Sequence, residues 1–121
     1  MIRTDGSRPS ILLAEDEMLL AMMLEDRLVA SGYHVIKAAR LGRCLELAET
    51  ASIDLAILDI NLAGEESFPV AAVLRRRGIP FVFSSGYGRQ DLPEAWRNET
   101  VLQKPYDTRQ LAEALRVLDI A

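Results

Sequence analysis

Four places in the chain put reactive side chains at the ends of short apolar runs. Ile11-Leu12-Leu13-Ala14 runs into Glu15-Asp16, and Leu55-Ala56-Ile57-Leu58 runs into Asp59. Later runs close on Ser84-Ser85 and on Lys104-Pro105. Runs of this kind suit strands buried on both faces of a parallel sheet, whose ligands bind at the carboxyl ends of the strands. If the first and third strands are neighbours, acids converge there that cannot stay ionised together without a cation. Hard oxygen ligands with room for water and phosphate oxygens favour Mg²⁺ over zinc, for which the chain offers one His and one Cys. A hydroxyl and an ammonium on the far side complete a cradle for a dianion bonded to a carboxylate. That is the chemistry of a phosphoryl-accepting aspartate.

The elements that must position these groups alternate regularly. Strand-like runs cover 10–14, 34–38, 55–58, 80–84 and 100–103, and helix-like stretches cover 18–30, 41–50, 69–77, 93–97 and 108–118. The pattern predicts βαβ units: a five-stranded parallel sheet with right-handed crossovers and helices on both faces. A strand order of 2-1-3-4-5 puts the switch point between strands one and three, where Asp16 and Asp59 face each other beside Glu15. Ser31-Gly32 and Gly78 are expected to end helices in positive φ, and Asp107 or Thr108 to cap the last one. Residues 1–9 form a polar lead-in, and 10–121 form one domain.

Composition excludes several classes. At 121 residues the chain is long enough for one core. Its net charge of −4 and scattered basic residues argue against a nucleic-acid partner. Arg75-Arg76-Arg77 is expected to face the carbonyl end of a helix. No stretch approaches the roughly 20 apolar residues of a membrane span, so no membrane partner is expected, and the first residues lack an apolar signal core. Cys44 falls in an apolar helical pattern and reads as a structural thiol; a reducing cytoplasm fits these features.

Taken together and in order, the acid pair, Leu58-Asp59-Ile60-Asn61, Ser85-Gly86 and Lys104-Pro105 resemble a response-regulator receiver domain over residues 11–118. A finer similarity is to the FAT GUY subgroup of receivers, in Phe68-Pro69-Val70-Ala71 and Pro80-Phe81-Val82-Phe83-Ser84-Ser85-Gly86-Tyr87-Gly88, although that subgroup usually has Ala-Thr at Ser84-Ser85. The resemblance implies a flavodoxin-like receiver fold. Asp59 would accept a phosphoryl group from a phosphohistidine of a sensor histidine kinase or histidine phosphotransfer protein. Glu15, Asp16, Asp59 and the backbone carbonyl of Asn61 would hold Mg²⁺, with Mn²⁺ as the alternative ion. Lys104 and the switch hydroxyl of Ser85 would then take phosphate oxygens. Such a domain is not a turnover enzyme, although it assists its own phosphorylation and dephosphorylation. It would signal to an unknown downstream protein by contact.

The chain also departs from common receivers. Val101 stands where many carry the aromatic rotamer switch of the fifth strand. Tyr87, between Gly86 and Gly88, is a candidate to report the change instead, or else a Tyr packed over the rim. Ser84 should point away if Ser85 faces the phosphate. Residues 63–67 read as a flexible acidic loop, solvated rather than metal-binding at Glu65 and Glu66. In the first helix Leu20, Leu24 and Leu28 make the expected buried stripe with Met23 beside it. Met18 and Met22 are then left exposed as candidate kinase-docking residues with Pro105 and Tyr106. Trp96 reads as either packing or an exposed anchor, and His34 as a structural or surface residue rather than a general base. The chain ends at Ala121, within or just after the last helix, so output through protein contacts is expected. A phosphorylation-independent scaffold of receiver shape is the competing reading, opposed by the occupancy of every catalytic position. An aspartyl phosphatase is disfavoured by Asn61 where such enzymes usually have a second acid.

Overall fold

A computed structural model describes residues 8–86 and 92–120. The first seven residues of the 1–9 lead-in and the switch candidate Tyr87 lie outside the described residues. Five parallel strands form the sheet: β1 (Ser10–Ala14), β2 (His34–Ala38), β3 (Leu55–Asp59), β6 (Phe81–Ser85) and β7 (Val101–Gln103). Their order is β2-β1-β3-β6-β7. This is the expected 2-1-3-4-5 topology. The numbering shifts because two-residue strands β4 (Asn61–Leu62) and β5 (Glu65–Glu66) pair antiparallel outside the sheet.

The apolar runs become central strands because both of their faces are covered. β3 and β6 are buried at every residue. Period-two alternation divides their side chains between two cores. Leu12, Ala14, Leu58 and Phe83 pack with Cys44 and Ala48 of α2 (Leu41–Thr50) and with Val70, Ala71 and Leu74 of α3 (Phe68–Arg77). Ile11, Leu13, Ile57 and Val82 pack on the other face with Leu24 and Leu28 of α1 (Met18–Ala30) and with Leu111 and Leu115 of α4 (Thr108–Ile120). Burial pushes the Cys44 thiol up to about 12, as befits a structural cysteine.

Helix ends follow the local chemistry. Gly78 takes φ +73 and closes α3 with Ile79 N–H donating to Leu74 O at 2.9 Å. Asp107 and Gln110 cap α4 reciprocally, each backbone N–H donating to the other's side chain at 2.9 and 2.8 Å.

Three expectations are corrected, and a fourth, the arginines at the C-terminal end of α3, is borne out and extended. The fourth helix contracts to a 3₁₀ turn, Glu94–Trp96, between Pro93 and Asn98. Met23 is 53 % exposed, because Ala21 takes the sheet-facing place beside Leu24 and Leu28. The flexible acidic loop is an ordered hairpin, with Glu65 and Glu66 exposed. The arginine cluster does more than face a helix end. Arg75 ion-pairs with Glu99 and lies 4.0 Å over the ring of Trp96; Arg76 pairs with Glu49, and Arg77 donates to the carbonyls of Ala48 and Ala51. Trp96 itself stacks on Phe68 and meets Phe81 and Phe83 edge-on, so it packs the 3₁₀ turn onto the sheet.

Candidate functional site

The parallel register brings the reactive residues to one end of the sheet. Ala14 pairs with Leu58, so Glu15 and Asp16 leave β1 level with Asp59 at the end of β3. Asp59 in turn pairs with Ser84, and Ser85 pairs with Gln103, one residue before Lys104. One carboxylate oxygen from each of Glu15, Asp16 and Asp59 lies within 4.8 Å of the other two. Glu15 and Asp59 are 4 % and 8 % exposed, while Asp16 is half-buried.

One ammonium joins two of these acids. Lys104 Nζ donates to Glu15 Oε1 at 3.0 Å and to Asp59 Oδ2 at 2.9 Å. Its own backbone N–H donates to Ser85 O at 2.7 Å, which fixes the lysine to the end of β6. Backbone groups hold three of the other oxygens: Glu17 N–H donates to Glu15 Oε2 at 3.0 Å, Asn61 N–H to Asp59 Oδ1 at 3.3 Å, and Ala63 N–H to Asp16 Oδ2 at 3.1 Å.

Charge is unbalanced here, with three carboxylates against one ammonium. Burial raises the Glu15 carboxyl above its ordinary value, with the charge of Asp59 adding to it, against the Glu17 N–H and Lys104. Burial would lower Lys104, but hydrogen bonds to Asp59 and Glu15 outweigh it and leave the ammonium raised. Three clustered hard oxygen donors with an unmet negative charge fit a divalent cation such as Mg²⁺, and nothing in the set favours a softer metal.

Ser84 lies on the same face as Val82, beside the buried hydroxyl of Tyr106, and neither hydroxyl finds a hydrogen-bond partner of ordinary geometry. Ser85 alternates to the opposite face at the end of the strand and is buried. Met18 and Met22 are 76 % and 50 % exposed, and Pro105 is exposed. Tyr106 is half-buried with its hydroxyl turned inward, so it offers a partner less than the other three. The Lys104-Pro105 peptide is cis. Sequence reasoning missed the side-chain ties of Asp16 and Asn61 to the hairpin; the Ala63-Gly64 dipeptide was the local signal available.

A doubly wound parallel sheet with an acid trio, a lysine and a serine at the carboxyl ends of its strands defines a class of α/β domain with its site at the β1/β3 switch point. Residues 11–116 match the response regulator receiver domain family, and the chain belongs to it: it is a receiver domain of two-component response regulators. Solution structures of SdrG from Sphingomonas melonis Fr1 and of its BeF3-activated conformation (organism given as Pseudomonas melonis Fr1) are similar, at 42 % and 40 % identity and TM-scores of 0.80 and 0.77. These matches cover 92 % and 93 % of this chain and 96 % and 98 % of those. A response regulator, TrrA from Thermotoga maritima in complex with Mg(2+)-BeF, shares 25 % identity over 91 % of this chain and 98 % of that one, with a TM-score of 0.80. Transcriptional regulatory protein PdtaR of Mycobacterium tuberculosis is 30 % identical over 112 residues, 88 % of this chain and 55 % of that protein. The chain spans about half the length of the curated relatives it matches. Likeness to the FAT GUY subgroup remains a likeness of sequence.

Proposed function

We propose that this receiver accepts a phosphoryl group on Asp59 from a phosphohistidine of a sensor histidine kinase or phosphotransfer protein, with Mg²⁺ required. The observation that carries the reading is Lys104 Nζ set between Glu15 and Asp59, within hydrogen-bond distance of both. In the transfer an Asp59 oxygen forms a bond to phosphorus as the phosphorus–nitrogen bond breaks. Such transition states are loose, so positioning and electrostatics do most of the work. Lys104 is placed to receive the developing charge on the phosphoryl oxygens. Glu15, Asp16, Asp59 and the Asn61 carbonyl are the groups that would hold Mg²⁺, which supplies charge neutralisation when bound; Mn²⁺ is the alternative ion.

After transfer, Ser85 and Lys104 each take a phosphate oxygen. Driving a two-state switch from mostly off to mostly on takes about 5 kcal/mol, and a few charge-assisted hydrogen bonds of about 1.5–3 kcal/mol supply it. The neighbour named as BeF3-activated supports a switch of this kind. Signalling runs through protein contacts, with exposed Met18 and Met22, which line a cleft with Lys37 and Arg40, and with Pro105 and Tyr106, which line another with Glu17 and Leu20, as kinase-facing candidates. The domain is a phosphoacceptor, not a turnover enzyme.

The test is incubation with a small-molecule phosphoryl donor and Mg²⁺, followed by intact-mass measurement, with a histidine kinase as second donor. An acid-stable, base-labile adduct that Asp59→Asn abolishes is expected. No adduct from either donor overturns the reading and leaves the scaffold.

A further inference from the structure

The hairpin after Asp59 is built around two residues in the left-handed region: Ala63 at φ +52 and Gly64 at φ +92. Such a pair makes the two-residue turn whose twist matches that of a hairpin. Glycine adopts it freely, whereas alanine does not, so something outside the turn must hold Ala63 there. Two side chains do. Asp16 Oδ2 accepts from Ala63 N–H at 3.1 Å, across 47 positions of sequence, and Asn61 Oδ1 accepts from Gly64 N–H at 2.8 Å. One belongs to the acid trio; the other belongs to the residue whose carbonyl is assigned to the cation.

The base of the hairpin is equally fixed. Leu62 is fully buried, and Ser67 N–H donates to Ile60 O at 2.8 Å. Leu62 pairs with Glu65 next to the turn, and the pair beyond it is Asn61 with Glu66. In an antiparallel ladder alternate pairs turn their backbone groups outward, and Asn61 N–H accordingly reaches Asp59 Oδ1. The Asn61 backbone is therefore set by Asp59 on one side and by its own side chain closing the turn on the other. Asp16, with one oxygen committed to Ala63, is set by the same turn.

We propose that the Ala63–Gly64 turn is a positioning device for the cation, with the Asn61 side chain as its latch. The turn fixes the direction of the Asn61 carbonyl and the rotamer of Asp16, and so sets the affinity of the site for Mg²⁺. This inference rests on the acid trio being the Mg²⁺ site. Ligand-orienting groups of this kind typically change metal affinity by about 10- to 100-fold.

A Cβ added at Gly64 meets no atom within 4 Å, so Gly64→Ala perturbs the backbone conformation alone. Asn61→Ala keeps the backbone carbonyl and removes the latch. Mg²⁺ dissociation constants are measured by titration of amide chemical shifts, with melting of the metal-free proteins in parallel. The expected result is binding weakened by about 10-fold in both variants, with metal-free melting close to that of the parent for Asn61→Ala and lowered for Gly64→Ala by the strain of an alanine at φ +92, and Ala63→Gly binding at least as tightly. A purely structural role would move the melting temperature and not the affinity. Variants that bind Mg²⁺ like a binding-competent parent overturn the proposal and leave the phosphoacceptor reading standing. A parent that binds no Mg²⁺ overturns both.

Discussion

Lys104 Nζ lies 2.9 Å from Asp59 Oδ2, joining residues 45 positions apart. The lysine is held there by its own backbone, whose N–H is bonded to Ser85 O on the neighbouring strand. Asp59, Ser85 and Lys104 are thus tied together through β3, β6 and the end of β7. If Asp59 is the proposed phosphoacceptor, the ammonium is within reach of a phosphoryl oxygen on it before any phosphate arrives.

Lys104→Gln should therefore slow phosphorylation by roughly 100-fold, the usual cost of losing one preorganised charge-stabilising donor. It should also leave Glu15 and Asp59 facing each other without compensation and destabilise the metal-free fold by about 2 kcal/mol. Rates of adduct formation at saturating donor, set beside urea midpoints, check both parts. An unchanged rate would remove Lys104 from the transfer chemistry.

Glu15 gives the metal-free protein a definite pH response. Burial raises its carboxyl above 4.5, so the folded state holds the proton more readily than the unfolded one. Stability contributed at this residue then falls as pH rises from 4.5 through the raised value, and the penalty stands in full above it. The raised Lys104 acts elsewhere: its contribution is complete below 10.5 and is lost only as pH rises through its folded value. Glu15→Gln removes the buried charge and keeps one oxygen, which can accept from Lys104 or from the Glu17 N–H but not from both. In chelator at neutral pH the variant should have the higher urea midpoint, with the gap closing toward pH 4.5. Added Mg²⁺ should stabilise the parent more than the variant and reverse their order. A gap independent of pH would refute the titration.

Much of this was legible because the sheet is buried on both faces, so strands such as Leu55–Asp59 read as unbroken apolar runs with their reactive residue at the end. α1 and α2 were legible from helical spacing and flanking turn residues. What escaped depends on partners distant in sequence. An acidic, glycine-containing loop looks flexible until Asp16, 47 positions earlier, holds Ala63 N–H. The arginines of α3 look like a solvated helix end until α2 and the 3₁₀ turn supply carbonyls, carboxylates and a Trp96 face. Met23 and Ala21 are two positions apart on a nearly all-apolar helix, and hydrophobicity alone could not choose which faces the sheet. At the site, the acids and Lys104 were readable as strand ends, but the bridging of Glu15 and Asp59 by one ammonium was not, since it follows from register.

Adjacent serines close β6, and the structure separates their roles. Ser84 packs on the α1/α4 face with its buried Oγ beside the buried hydroxyl of Tyr106, and neither is paired in ordinary geometry. A buried hydroxyl without a partner costs about 1–3 kcal/mol in proteins, so Ser84→Ala and Tyr106→Phe should each leave stability unchanged or raise it by about 1 kcal/mol. Their double-mutant cycle should show coupling near zero; coupling of about 1 kcal/mol in urea unfolding would mean that the two hydroxyls do pair. Ser84→Ala should also leave phosphorylation-dependent partner binding intact, because its side chain lies on the face away from Ser85. Ser85→Ala should still form the Asp59 adduct but lose that binding, since the proposed switch hydroxyl is gone. Equal losses in the two variants would contradict the assignment of the switch hydroxyl to Ser85.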